Sequence, residues 1–356
     1  MSTTIRQSPE PDTDPLEARH GSLPRRFPLA LLASCAAVVA GVLLAFSAFG
    51  ALPWLLLTAA SFTVILVTAS ARVEGHRHAV DRLVTAVVYG CFLLALAPLV
   101  SVLWTVIDNG LDRFDPYFLS VSMNGVLPSM DAGGAYHAIV GTLAITGMAT
   151  LISVPIGLMC AVYLVEYAQG RIKRAITFFV DVMTGIPSIV AGLFVVALWI
   201  MLFGPGRTNG AAAAISLAVL MIPVVVRSSE EMLQLVSRDL REASYALGVP
   251  KWRTITKVVL PTSAAGLTTG IMLAIARVIG ETAPLVLTAG SSAVSINWDL
   301  FDGQMMSLPV FIYSQVRMGG AVNYERAWAA ALTLILIVML LFFLARVVKY
   351  LFAPNR

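Results

Sequence analysis

The sequence predicts an all-α, polytopic membrane protein, a helix bundle of about eight transmembrane helices. Three observations lead there. Hydrophobic residues make up 58% of the 356 residues and charged residues only 12%, against about 25% charged in soluble domains, and mean hydropathy is +0.85. Apolar runs of about 20 residues, the length that crosses ~30 Å of hydrocarbon, recur along the chain. The basic residues are segregated between the loops. A soluble enzyme and a disordered chain are excluded, because a soluble fold of this size has too little interior for so much apolar surface.

The elements follow in order. Residues 1–26 are polar and Pro-rich and read as a disordered tail. The run at 27–49 is longer than a signal-peptide core of about 7–15 residues and lacks a clear cleavage site, so it reads as a span. Further runs lie at 51–71, 83–107, 135–165, 177–203, 211–227, 263–289 and 326–348. With eight spans both termini share one side. Nineteen of the 24 Lys and Arg residues fall on that side and four (Arg113, Arg207, Arg317 and Arg326) on the other, which places both termini in the cytoplasm. The long external loops are then 108–134 and 290–325. The net charge of +4 fits basic loops beside anionic lipid. No basic run with interleaved aromatics points to nucleic acid. Cys35, Cys91 and Cys160 each sit in an apolar stretch without metal-ligand spacing and read as packing residues. His137 opens the fourth span as an interfacial residue, and no metal site is expected.

The one sizeable cytoplasmic segment is 228–262. Asp239 and Glu242 have the spacing of an N-terminal capping pair, and Leu240, Ala243 and Leu247 share a helical face. Gly248 suits a left-handed helix end, Pro250 the first turn of the next helix, and Leu260-Pro261 a bend back into the membrane. On the residues alone a plain surface hairpin fits as well as a partner site. The pattern Glu242-Ala243-Ser244, Gly248, Val258, Leu260-Pro261 resembles the EAA loop of ABC-importer permeases: Glu-Ala-Ala, three residues, Gly, nine residues, Ile, one residue, Leu-Pro. Ser244 replaces the second Ala and Val258 the Ile, with the spacing kept. The resemblance implies a coupling helix docked on a cytoplasmic ATPase subunit, with the small face of Ala243 and Ser244 allowing close approach.

The seventh span carries Arg277 and Glu281 four residues apart, on one helix face. A charge at the bilayer centre costs about 2.5–3.5 kcal/mol on insertion scales, which a mere anchor does not require. Two readings fit: an internal ion pair that locks the bundle, or an arginine facing an aqueous path for an anion with Glu281 holding the guanidinium. Arginine presents planar donors that match phosphate oxygens. Thr282 adds a hydroxyl, and Gly280 and Pro284 loosen the helix. In Gly185-Ile186-Pro187-Ser188 the helix is interrupted, either as a packing kink or as a half-helix start whose N–H groups near Ser188 bind an anion.

The run from Arg277 through Gly280-Glu281-Thr282-Ala283-Pro284 resembles the RxxGETAP signature of ABC phosphate-importer permeases of the PstA type. Gly185-Ile186-Pro187-Ser188-Ile189-Val190 ahead of Gly192-Leu193-Phe194 is similar to that family's GVPSIVYGLF run, and Ala246-Leu247-Gly248 with Lys251-Trp252 to its ALGxxKW run. Gly141-Thr142-Leu143 with Val154-Pro155-Ile156-Gly157 looks like its first core helix. The resemblance covers 83–350 and implies a six-helix type I importer core there, with 27–82 as an extra N-terminal hairpin of two spans. It also implies a non-catalytic subunit of the bacterial inner membrane. The partners are a second permease (PstC type), an ATPase dimer (PstB type) and an external phosphate-binding protein (PstS type). The implied path residues are Arg277, Glu281, Thr282 and Ser188, and the coupling residues Glu242, Ala243, Ser244, Gly248, Leu260 and Pro261. No cofactor is expected on this chain, which lacks a GxxxxGK[ST] loop; ATP and Mg²⁺ belong to the partner ATPase. Import of another oxyanion or phosphonate, or signalling of phosphate status, are the rival functions. The apolar stretch 304–313 fits an interfacial helix, a re-entrant plug or a docking surface.

Overall fold

The computed structural model describes residues 23, 24, 26–46 and 50–352, so nearly all of the expected tail at 1–26 lies outside the described residues. The chain forms two compact units, 1–102 and 103–356, and the division falls inside one long helix. In the first unit α1 (Phe27–Ala45) and α2 (Ala51–Val73) form a hairpin, with Trp54 Nε1 donating to the Ala36 carbonyl at 3.0 Å. Gly75, at φ +93°, makes the turn into α3 (His76–Gly110). Beside it the buried Glu74 carboxylate accepts from the Leu23 N–H, the Ser70 hydroxyl and Arg82. Burial pushes this carboxyl up, but the two neutral donors and the Arg82 guanidinium together outweigh it and hold it below the usual carboxylate range. Cys35 is packed as expected; Cys91 is instead exposed on α3.

In the second unit the end of α3 runs through a 3₁₀ turn, Leu111–Arg113, into α4 (Pro116–Ser120), capped by Asp115 Oδ1 on the Phe118 N–H at 2.6 Å. The centre is α5 (Tyr136–Val162) against α8 (Gly210–Gln234). Small residues permit this approach: Ala213, Ala214 and Ala218 of α8 are buried, and Gly157 of α5 sits where a Cβ would fall 2.7 Å from Val225 Cγ1. Gly141 is tighter still, since a Cβ there would lie 2.0 Å from the Met306 carbonyl oxygen. Gly141→Ala is therefore expected to destabilise by about 1–3 kcal/mol through forced backbone movement. Gly147→Ala, with nothing within 4 Å of its added Cβ, is neutral or slightly stabilising. Melting temperatures of the two purified variants measure the difference.

His137 is not interfacial. It is buried, with its ring edge-on to Phe311 at 5.4 Å between centroids. The stretch 304–313 is neither a free interfacial helix nor a docking surface: Met305, Met306, Leu308, Val310 and Phe311 are buried, and α13 (Leu308–Met318) packs on α5 and on α14 (Ala321–Phe352). Arg326 of α14, expected as a loop charge, is wholly buried. Its guanidinium donates to Asn323 Oδ1 at 2.8 Å and to the Ala132 carbonyl at 2.9 Å, and also reaches the Met130 carbonyl, stapling segment 130–132 to the helix.

Seven helices among the described residues are long and apolar enough to cross a membrane, or eight with one bent pair as a span. That pair is the expected run at 177–203. It is broken into α6 (Gly170–Thr184) and α7 (Ser188–Phe203), which meet at 104°. Pro187 disfavours helical backbone at Ile186, so the chain cannot continue straight. The run at 263–289 is also discontinuous. Helix α11 (Leu260–Ile279) stops, residues 280–282 turn, and α12 (Ala283–Thr288) follows. Pro284 has no N–H and its ring would meet the carbonyl of Gly280 in a continuous helix. The two half-helices α7 and α12 lie side by side, Gly192 against Pro284.

Candidate functional site

The two helix breaks open onto one cavity of about 190 Å³. The first break supplies Met183, Thr184, Ile186 and Ser188; α11 and the second break supply Arg277, Val278 and Glu281; Leu220 and Val224 of α8 close it. Ser188 begins α7, and the backbone N–H groups of Ser188 and Ile189 find no carbonyl partner among the described residues. Arg277 lies in the last turn of α11 and is exposed. No hydrogen bond or ion pair joins its side chain to any described residue, so the locking pair with Glu281 is not formed. The reason is local: the helix ends at Ile279 with Gly280 as its cap, and Glu281 leaves the face on which an i,i+4 pair would meet. The structure thus brings Arg277, Glu281 and Ser188 to one space with their polar groups free.

Thr282 is not part of the cavity. The turn makes it the residue before α12, where its carbonyl accepts from Val286 N at 3.1 Å. Thr184 is a lining residue that the sequence reading missed; its signal was its place directly before Gly185-Ile186-Pro187. Its hydroxyl donates to the Val180 carbonyl at 2.8 Å, which leaves oxygen lone pairs for the cavity.

The second constellation is an elbow. Helix α9 (Arg238–Ala246) ends at Gly248, whose φ of +76° only glycine adopts easily, and Pro250 precedes α10 (Lys251–Thr254). The expected capping pair is absent: Ser237 is the N-cap, with no side-chain cap bond, and Asp239 falls inside the first turn. Leu240, Ala243 and Leu247 do share one face, and it is exposed, Leu247 to 83%. Glu242 is exposed too. Ser244 faces the other way. It is buried and bonds the Thr254 hydroxyl at 2.8 Å, so it closes the elbow instead of meeting a partner.

Two residues outside the expected coupling set hold this elbow to the bundle. Arg241 donates from Nε to Glu166 Oε1 at 3.0 Å, from Nη2 to the Leu233 carbonyl at 2.9 Å, and also to the Val236 carbonyl. It thereby satisfies carbonyls at the C-terminal end of α8. Lys251 reaches the Glu166 carbonyl and lies over the Tyr167 ring. Both partners belong to the π-helical turn Tyr163–Tyr167 at the end of α5. No local pattern in the sequence marks Arg241, because its partner Glu166 lies 75 residues away in the chain. Leu260-Pro261 does not bend the chain. A π-helical turn, Ile255–Val259, joins α10 to α11, and the helix runs on from Lys251 to Ile279 over 29 residues. The widened turn gives room for the proline ring and does not need its missing N–H.

Residues 153–356 match the family of binding-protein-dependent transport system inner membrane components. The phosphate transport system permease protein PstA 1 of Mycobacterium tuberculosis is 48% identical over 273 residues, covering 76% of this chain and 88% of that protein. The PstA of Yersinia pestis is 37% identical over 277 residues, covering 77% and 92%. In structure, the MetNI methionine ABC transporter in an inward-facing conformation aligns with a TM-score of 0.50 at 22% identity, over 60% of this chain and 94% of that one, which shows a common fold. With its broken spans, its exposed elbow and these relatives, the chain belongs to the binding-protein-dependent transport system inner membrane components and is a multi-span, non-catalytic permease subunit.

Proposed function

We propose that this subunit carries phosphate across the bacterial inner membrane as half of the pore of an ATP-driven importer. The single observation that carries the reading is Arg277, unpaired at the meeting of two broken helices and facing a polar cavity. A guanidinium in a bilayer is costly without a counter-charge, and a passing oxyanion supplies one. The names of the relatives, phosphate transport system permease proteins, support the choice of anion. Ser188 and the free N–H groups of α7 add donors from the other helix break.

The remaining assembly follows from the resemblance. A second permease of the PstC type completes the pore, a PstS-type protein delivers phosphate from outside, and a PstB-type ATPase dimer binds and hydrolyses ATP with Mg²⁺. Both termini are cytoplasmic, the side that gathers nineteen of the 24 basic residues. ATP-driven closure of the ATPase dimer pushes on the exposed face of α9, and α11 rocks so that Arg277 is open first to one side and then to the other.

The test is phosphate uptake by the assembled complex in proteoliposomes, competed with sulfate, molybdate or phosphonate. Phosphate alone should be taken up and should resist competition; preferential uptake of another anion would reassign the substrate. For the elbow, a cysteine at Ala243 should crosslink to the ATPase in at least one nucleotide state. Absence of any crosslink in all states removes the coupling role.

A further inference from the structure

The cavity has acceptors as well as donors, although an anion path needs only donors. Glu281 lines it with its carboxylate unbonded by any described residue, and Thr184, whose one hydroxyl proton is committed to the Val180 carbonyl, presents only lone pairs. The same cavity is lined by Arg277 and the start of α7 at Ser188, which donate. A fully deprotonated oxyanion such as sulfate satisfies the donors but meets Glu281 and Thr184 with nothing but lone pairs, and beside Glu281 also with like charge. An oxyanion that keeps a proton satisfies both sets, since its hydroxyl donates to Glu281 while its bare oxygens accept from Arg277.

We infer that Glu281, assisted by Thr184, makes this subunit selective for protonated oxyanions, so that discrimination against sulfate is built into the membrane path itself. The inference rests on the reading of the cavity as the phosphate path. A polar site built to receive a hydroxyl rejects an analogue lacking it far more strongly than a hydrophobic pocket rejects a size mismatch, because the site's own groups are left unpaired. Glu281 therefore acts on which anion enters, and Arg277 on whether any anion enters.

The experiment is equilibrium binding of radiolabelled inorganic phosphate to the assembled permease–ATPase complex in nanodiscs, without the external binding protein, competed with sulfate. Wild type should prefer phosphate at least about tenfold. Glu281→Gln, whose amide can donate, should admit sulfate and narrow the preference to less than about threefold, and Thr184→Val should narrow it partly. Glu281→Asp, which keeps the acceptor, should preserve the preference and shows that the position tolerates change. Equal binding of the two anions by wild type, or an unchanged preference in Glu281→Gln, overturns the inference. Phosphate binding that survives Arg277→Ala overturns the reading of the cavity beneath it instead.

Discussion

Arg277→Ala is expected to lower phosphate uptake by the assembled complex about a hundredfold, and Arg277→Lys about tenfold. A hydrogen bond to a charged group is worth about 1.5–3 kcal/mol, and a guanidinium engages an oxyanion with two parallel bonds at once. Lysine keeps the charge but not the planar fork, so it recovers part of the effect. The same argument fixes what must not change. Arg277 has no partner among the described residues, so its removal orphans no group, and the melting temperature of the complex should stay within the spread of surface substitutions. A structural arginine such as Arg326, wholly buried and bonded to two backbone carbonyls and Asn323, would behave in the opposite way. Wild-type uptake by both Arg277 variants would remove the residue from the path.

Leu247→Asp is expected to reduce transport more than tenfold while leaving the chain as stable as before. Leu247 is 83% exposed and lies on the free face of α9 with Leu240 and Ala243. A large apolar residue held out on a rigid elbow contributes nothing to this chain alone, so its worth lies in a contact. Fully burying a leucine against a partner is worth about 1.5–3 kcal/mol, and burying an unpaired carboxylate in its place costs more. Parallel measurement of ATP hydrolysis separates two results. Continued hydrolysis with lost uptake indicates a broken transmission, and loss of the ATPase on purification indicates lost docking. Unchanged uptake would show that this face touches nothing that matters.

Much of the architecture was legible because hydropathy reports directly on what a bilayer tolerates. The runs that became α1, α2, α3, α5, α8 and α14 needed no further information. The breaks were legible as residues but not as geometry. Gly185, Pro187, Gly280 and Pro284 signal interruption, yet nothing local states that α6 and α7 meet at 104° or that both interruptions face one space. The same limit explains Glu281. A spacing of four implies a shared face only while the helix continues, and the helix ends at Ile279. At Pro261 the error ran the other way, because a π-helical turn lets a proline pass without a bend. Ser244 illustrates a third limit: a small residue in a motif suggests close approach, but which neighbour approaches, here Thr254 of the same chain, is decided by tertiary structure.

The unbroken helix from Lys251 to Ile279 has a mechanical consequence. At about 1.5 Å per residue its 29 residues measure about 43 Å, with the elbow at one tip and Arg277 near the other. A stiff rod of that length has no joint at which motion could be absorbed, except the single loosened turn at 255–259. Stroke delivered to its foot therefore arrives at its head as displacement of the guanidinium itself, and stiffness of that one turn sets how much of the stroke is lost on the way.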